Sequence, residues 1–171
     1  MELMLLRVYQ RQVREQCSTI LRSWEEIDRL GPQVWPAIQQ LVGSAANVSK
    51  LLWGGGGKRA VEREPLRASI GVADSSPLHS TEMRNHFEHI DQRLDAWWAN
   101  SPRHNHADQN IGPYGAISGI DEIDSFRLYD PDSGDLWFWG DSFNLKEIVA
   151  EVQRIYPIVQ VESEKPHWIV P

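Results

Sequence analysis

The first third of the chain contains two long stretches in which apolar residues recur every three or four positions, the spacing of one face of an α-helix. The first stretch covers residues 3–29 and the second covers residues 33–53. Gly31 and Pro32 separate them, a pair that stops one helix before the next begins. Because the connection is so short, the two helices are predicted to form an antiparallel hairpin.

Residues 54–80 are predicted to be a connection. The run of four glycines at 54–57 is interpreted as a flexible linker. It does not fit a phosphate-binding P-loop, which requires a preceding strand and a Gly-Lys-Ser/Thr sequence entering a helix. One helical turn is expected near residues 66–70.

A third helix is predicted over residues 81–99. Its apolar positions recur with helical spacing, and they are Met83, Phe87, Ile90, Leu94 and Trp97. Through Phe87, Ile90 and Leu94 this helix is expected to pack against the other three predicted helices.

A β-hairpin is predicted at about residues 124–140, because two aromatic and apolar runs flank a turn that contains Pro131 and Gly134. A fourth helix follows at 145–156, with Asn144 as its N-cap and Glu147 three residues later, as in a capping box. Pro157 is expected to end this helix, and residues 157–171 are predicted to be an extended tail.

These elements predict a mainly α-helical fold: a four-helix bundle with a β-hairpin inserted before the last helix. A chain of 171 residues with 41% hydrophobic residues suits a single domain spanning residues 1–171. A single cysteine, Cys17, excludes an intramolecular disulfide. Since neither a secretory signal nor an apolar stretch of membrane-spanning length is visible, the protein is expected to be cytoplasmic and not to associate with membranes.

The net charge of −7 argues against a broad nucleic-acid-binding surface. Basic residues nevertheless gather between positions 50 and 67. This segment is interpreted as a solvated loop, although its charge could attract an RNA backbone.

The residues best suited to chemistry are Arg84, Asn85 and His89, within the third predicted helix. Arginine can hold a phosphate through a fork of donors, and histidine can transfer a proton near neutral pH. Asn85 and His89 share a helix face. Arg84 and His89 are separated by about 140° around the helix axis, so Arg84 must either reach sideways with its long side chain or act together with a second helix.

The arginine, the polar residue after it and the spaced histidine resemble the active motif of HEPN-domain ribonucleases. The resemblance implies a helical bundle, a homodimer whose two motifs line one cleft, and RNA cleavage by the 2′-hydroxyl without a metal. Arg84 would bind the scissile phosphate, and His89 would be the general acid or base. Asn85 would orient the histidine or a phosphate oxygen. Such proteins often act as toxins with a cognate antitoxin, or in defence against phage.

Other interpretations remain open. Arg84 can form an ordinary surface ion pair with Glu88 one turn later, and the protein can be a non-catalytic helical homodimer that serves as an interaction or nucleotide-binding module. His86 and His89 lie one turn apart and could bind a metal with His104 and His106. Since the usual metalloenzyme motifs are missing, neither a metal nor a cofactor is predicted.

Overall fold

The computed structural model describes residues 1–169, apart from the side chain of Met83. The chain is mainly α-helical, with a small four-stranded sheet before the last helix, so the coarse fold class and the position of the predicted hairpin are confirmed. Contacts divide the chain into two compact units, Met1–Thr81 with Ile148–Pro171, and Glu82–Glu147. The single domain spanning residues 1–171 stays a prediction.

The helical unit is built on the predicted hairpin of long helices. Helix α1 covers Leu3–Asp28 and helix α2 covers Val34–Trp53. Their facing sides are apolar and fully buried at positions that include Val13, Cys17 and Leu41. Burial raises the pKa of the Cys17 thiol to about 12, which keeps it protonated and unreactive.

The connection after α2 contains more regular structure than the sequence indicated. Two short helices, α3 at Gly57–Glu62 and α4 at Glu64–Ile70, precede a 3₁₀ turn at Pro77–His79. The predicted helical turn at residues 66–70 is confirmed within α4, whereas the prediction of a linker is wrong for residues 57–62. Burial stabilises α4, because the apolar side chains of Leu66 and Ile70 are fully buried, whereas α3 contains no buried residue.

The last helix, α7, covers Leu145–Glu164 with Pro157 inside it. Its predicted start is confirmed, since Asn144 Oδ1 accepts a hydrogen bond of 3.0 Å from the backbone N–H of Glu147. The predicted end before Pro157, and an extended conformation for residues 157–164, are wrong. A proline removes one helical hydrogen bond, but the apolar stripe continues past it to the fully buried Val159. Residues 170–171 of the predicted tail lie outside the described residues.

A buried arginine links the two ends of the helical unit. Arg7 on α1 is 2% exposed, and its Nη1 donates hydrogen bonds to Gln10 Oε1 at 2.8 Å and to the Glu162 carbonyl at 3.0 Å. The same nitrogen lies 3.3 Å from Glu162 Oε2 on α7, and Nη2 donates to the carbonyl of Ile169. One guanidinium thus satisfies several buried acceptors.

We predict that Arg7→Met destabilises the protein by about 3 kcal/mol, because it leaves buried acceptors without a donor and removes a charge that faces Glu162. Arg14→Met is the matched control. Arg14 also lies on α1 and forms an ion pair with a glutamate of α7, Glu164, but this pair is at the surface. That change should cost about 0–1 kcal/mol. Urea unfolding measures both, and equal losses would contradict the assigned role of Arg7.

The second unit contains the motif helix and the sheet. Instead of one helix over 81–99, the structure has α5 at Glu82–Glu88 and α6 at Ile90–Asn100. The strands are β1 at Asn110–Ile111, β2 at Arg127–Tyr129, β3 at Asp135–Phe138 and β4 at Asp141–Asn144. They lie in sequence order, with β1 parallel to β2 and the remaining pairs antiparallel.

Two turns shape the antiparallel part of the sheet. Between β2 and β3, Gly134 adopts φ +83°, and an added Cβ would lie 2.6 Å from Cγ of Lys146, so only glycine fits without displacing that side chain. Between β3 and β4, Trp139 and Gly140 form a two-residue turn with positive φ at both positions, the pattern of a type I′ hairpin. The fourth strand was not predicted.

The sheet supplies the core of this unit. Its fully or almost fully buried residues are Phe126, Leu128, Tyr129, Leu136 and Phe138. Phe87 on α5 packs edge-on against Phe138, with ring centroids 5.2 Å apart. Leu94 is 37% exposed, so its predicted role as a packing residue is wrong. The sheet is a core element of the unit that carries the motif, and not an appendage.

Phe138→Ala should destabilise the second unit by about 3–5 kcal/mol, because it empties the centre of this core. Phe87→Ala should cost less, since Phe87 is only half-buried. Chemical denaturation followed by circular dichroism measures both changes. A larger loss for Phe87→Ala would contradict the assignment of the sheet as the core of the unit.

None of the helices within the described residues combines the length and the apolar character needed to cross a membrane.

Candidate functional site

The three motif residues lie on and next to the short helix α5. Arg84 and Asn85 belong to this helix, and His89 follows it directly. The side chains of Asn85 and His89 are exposed, and Arg84 is partly buried. The structure therefore presents Asn85 and His89 to solvent, whereas most of the Arg84 side chain is covered.

His89 occupies a break between two helices. Its φ of −108° and ψ of 32° depart from helical values, and it is the N-cap residue of α6, although its side chain makes no capping hydrogen bond. Its backbone N–H still donates to the carbonyl of Asn85 at 3.0 Å. The helical hydrogen bonding thus continues to His89, and no hydrogen bond to its ring nitrogens is among the described contacts.

Arg84 is paired within its own helix. Its Nη2 donates a hydrogen bond to Glu88 Oε1, one turn later. Among the described contacts, Arg84 and His89 share no hydrogen bond or ring contact, so one copy of the chain does not bring the two together. This agrees with the helical geometry, which separates them by about 140° around the axis.

The most constrained histidine is His86, which the sequence left without a role. It is buried, and its ring stacks on Phe138 with centroids 5.4 Å apart. Arg93 Nη2 lies 2.8 Å from His86 Nδ1, and Asp141 Oδ2 lies 2.9 Å from Nε2. Both ring nitrogens are engaged, so His86 connects α5, α6 and β4 and has no free nitrogen for proton transfer.

These neighbours determine the tautomer of His86. Since an arginine can only donate, Nδ1 must accept, and Nε2–H donates to Asp141. Burial lowers the pKa of His86, and the charge of Arg93 lowers it further, whereas Asp141 opposes this change. His86 is therefore a neutral structural group near pH 7.

We predict that His86 contributes to the free energy of unfolding and that this contribution is lost in acid. Its pKa lies below the ordinary value of 6.5 in the folded protein, so the unfolded state takes up a proton first as pH falls. The resulting stability is fully present above about pH 6.5 and is lost progressively as pH falls toward the folded-state pKa. His86→Gln should be less stable at pH 8 but should lose less stability on acidification. Thermal unfolding between pH 8 and pH 5 tests this, and parallel curves for the two proteins would contradict it.

Asp124 binds the C-terminal end of α6 through its side chain. It is fully buried, and its Oδ1 accepts hydrogen bonds from Trp97 Nε1 at 2.8 Å and from Ser101 Oγ at 2.6 Å. Burial opposes ionisation, but the hydrogen bonds from Ser101 and Trp97 outweigh it and hold the pKa of this carboxyl below its usual range. The ionised carboxylate thus fixes the C-terminal end of α6.

His104 and His106 belong to an aromatic cluster around α6. The ring centroids of His104 and Trp98 are 4.2 Å apart, and those of His106 and Phe126 are 4.5 Å apart. Within the described part of the chain, no group of three or more histidine, cysteine, aspartate or glutamate residues is arranged to hold a metal ion. The structure does not bring His86, His89, His104 and His106 together as ligands.

The sequence located the motif but missed the residues that support it. His86 and Asp141 are 55 positions apart, and Asp124 lies 27 and 23 positions from Trp97 and Ser101, so only the tertiary fold brings these partners together. One signal was available: Trp139-Gly140 after an apolar run suits a tight hairpin turn, which would have placed β4 next to β3.

Comparisons of the chain with protein-family models, with curated proteins and with solved structures found no match.

Proposed function

We propose that the protein is a metal-independent endoribonuclease that acts as a homodimer, with Arg84, Asn85 and His89 as its site residues. The observation that best supports this is the exposure of Asn85 and His89 beside Arg84, on a helix anchored to the sheet. Exposed polar groups on a rigid support are what a site for a large external substrate needs. The similarity of the motif to that of HEPN ribonucleases gives the reaction class.

The chemistry follows from the three side chains. His89 removes the proton from the RNA 2′-hydroxyl, or delivers one to the departing 5′-oxygen. The 2′-oxygen forms a bond to phosphorus as the bond from phosphorus to the 5′-oxygen breaks, which leaves a 2′,3′-cyclic phosphate and a free 5′-hydroxyl. Arg84 binds the phosphate oxygens and stabilises their growing charge. Asn85 orients the imidazole or a phosphate oxygen.

A dimer resolves two geometric difficulties. Within one chain no contact between Arg84 and His89 is among those described, and one histidine cannot act as base and acid at the same moment. Two copies that pair their motif helices would place an arginine from one beside a histidine from the other. They would also supply two imidazoles, one for each proton transfer.

The ion pair between Arg84 and Glu88 must open when RNA binds. Glu88 is nearly half exposed, and an exposed pair of this kind is worth only about 0.3–0.5 kcal/mol. A phosphodiester group of the RNA can therefore replace the carboxylate of Glu88 at little cost in free energy. The pair keeps Arg84 oriented in the absence of substrate.

The proposal carries further expectations. They are a four-helix bundle and a cytoplasmic location, and the resemblance adds a role as a toxin or in phage defence, with a cognate antitoxin as partner.

Purified protein should cleave single-stranded RNA but not the matching DNA, because the nucleophile is the 2′-hydroxyl of the substrate. His89→Ala should lower the rate by about 10²–10⁴-fold, and Arg84→Ala by about 10²–10³-fold. The losses should be strongly non-additive in the double variant, since both residues serve one transition state. Cleavage of a fluorescent oligonucleotide in the presence of EDTA measures these rates without metal chemistry.

Two control variants sharpen this test. His167→Ala removes an exposed histidine of the helical unit and should leave the rate unchanged. Glu88→Gln releases Arg84 and should maintain or strengthen RNA binding. Activity per molecule should also fall on dilution, because the site needs two copies. Cleavage that persists in both alanine variants would overturn the assignment of Arg84 and His89.

A non-catalytic interaction module is the second candidate, and the ion pair between Arg84 and Glu88 favours it, because it gives Arg84 an ordinary structural partner. If wild-type protein neither binds nor cleaves RNA, and the alanine variants retain its cellular effect, this second function replaces the first.

A further inference from the structure

The helical unit contains a polar groove that the proposed ribonuclease site does not use. It lies between α1, α2 and Arg63, the residue that joins α3 to α4, and has a volume of about 330 Å³. Its polar lining residues are Tyr9, Gln12, Gln16, Asn47, Lys50 and Arg63. Lys50 and Arg63 belong to the basic segment at residues 50–67.

The charge of this groove is opposite to that of the chain as a whole. Arg63 and Lys50 contribute two positive charges, and no carboxylate is among the described lining residues, whereas the chain has a net charge of −7. The adjacent Glu15 accepts a hydrogen bond from Gln12 at 3.1 Å, and Glu62 lies 3.8 Å from Lys58. The described lining of the groove is therefore positive, although Glu15 contacts the lining residue Gln12.

Arg63 is held in position but lacks an acceptor. Its guanidinium carbon lies 3.8 Å from the centre of the Tyr9 ring, so the face of the group is covered by an aromatic surface. Among the described residues, the buried Nε of Arg63 has no hydrogen-bond partner. Buried donors are rarely left unpaired, and stacking fixes the plane in which an incoming oxygen would meet the fork of N–H groups.

The amides on α1 and α2 add neutral donors. Asn47 Nδ2 donates to Gln16 Oε1 at 3.3 Å, which engages the oxygen of Gln16 and leaves its amide N–H groups as donors. Lys50 is exposed one helical turn after Asn47. An arginine fork, a mobile ammonium group and an amide donor make a combination suited to a compact oxyanion.

We propose that this groove binds the phosphate group of a small phosphate monoester or inorganic phosphate. Two cations match the charge of a phosphate dianion, and the arginine fork matches its tetrahedral oxygens. A long polyanion such as RNA is a poorer fit, because it needs a row of cations along its backbone, and this groove offers two in an acidic chain.

Isothermal titration at constant ionic strength tests the proposal with inorganic phosphate and glycerol 3-phosphate, and with glycerol as the uncharged comparison. Both phosphates should bind and glycerol should not. Equal affinities identify free phosphate as the ligand, and tighter binding of the ester identifies a phosphate monoester. The site is overturned if neither phosphate binds at millimolar concentration, or if glycerol binds as well as its phosphate.

Variants distinguish the groove from general attraction to charge. Arg63→Gln and Lys50→Gln should each weaken phosphate binding about tenfold or more, the loss expected for one charge-assisted hydrogen bond. Lys58→Gln removes a neighbouring exposed lysine outside the groove and should change affinity less than twofold. Lys50 is exposed, so its variant folds even if Arg63→Gln does not. Equal losses in all three variants, or RNA binding that strengthens with oligonucleotide length and depends on Lys50, would overturn the small-ligand proposal.

Discussion

The unit that carries the motif depends on the hydrogen bonds of the buried residue Asp124. Its carboxylate accepts hydrogen bonds from Trp97 and Ser101 at the end of α6. The backbone carbonyl of Asp124 accepts a hydrogen bond of 2.9 Å from the N–H of Ala107. One residue thus ties α6 to the strand connections. Because α6 begins directly after His89, the orientation of the proposed site follows from an anchor more than two helical turns away.

Much of the fold could be predicted from local patterns. The hairpin of α1 and α2 follows from apolar periodicity and from a Gly-Pro stop, and the start of α7 follows from the capping residues Asn144 and Glu147. The end of α7 could not be predicted in this way. Pro157 is a helix breaker by itself, and only tertiary burial of the residues beyond it, such as Val159, keeps the helix intact.

The site could be predicted only in part, for the same reason. Arg84, Asn85 and His89 are close in sequence, so their spacing was visible, but the break in the helix at His89 was not. The role of His86 depends on Arg93 and on Asp141, which reaches it through the unpredicted strand β4. Two histidines three positions apart therefore have unlike environments, one fully engaged inside the unit and one open to solvent.

The ion pair between Arg84 and Glu88 has a consequence for the ionic environment. Dissolved salt screens exposed pairs of this kind, so it releases Arg84 from Glu88. The same ions would compete with the arginine for the phosphates of the proposed RNA substrate and would weaken its binding. These two effects act on one guanidinium with opposite sign, but the ion pair is worth only about 0.3–0.5 kcal/mol, so the proposed enzyme should lose activity as ionic strength rises. The carboxylate one turn away would then make the site slightly less sensitive to the salt content of its surroundings.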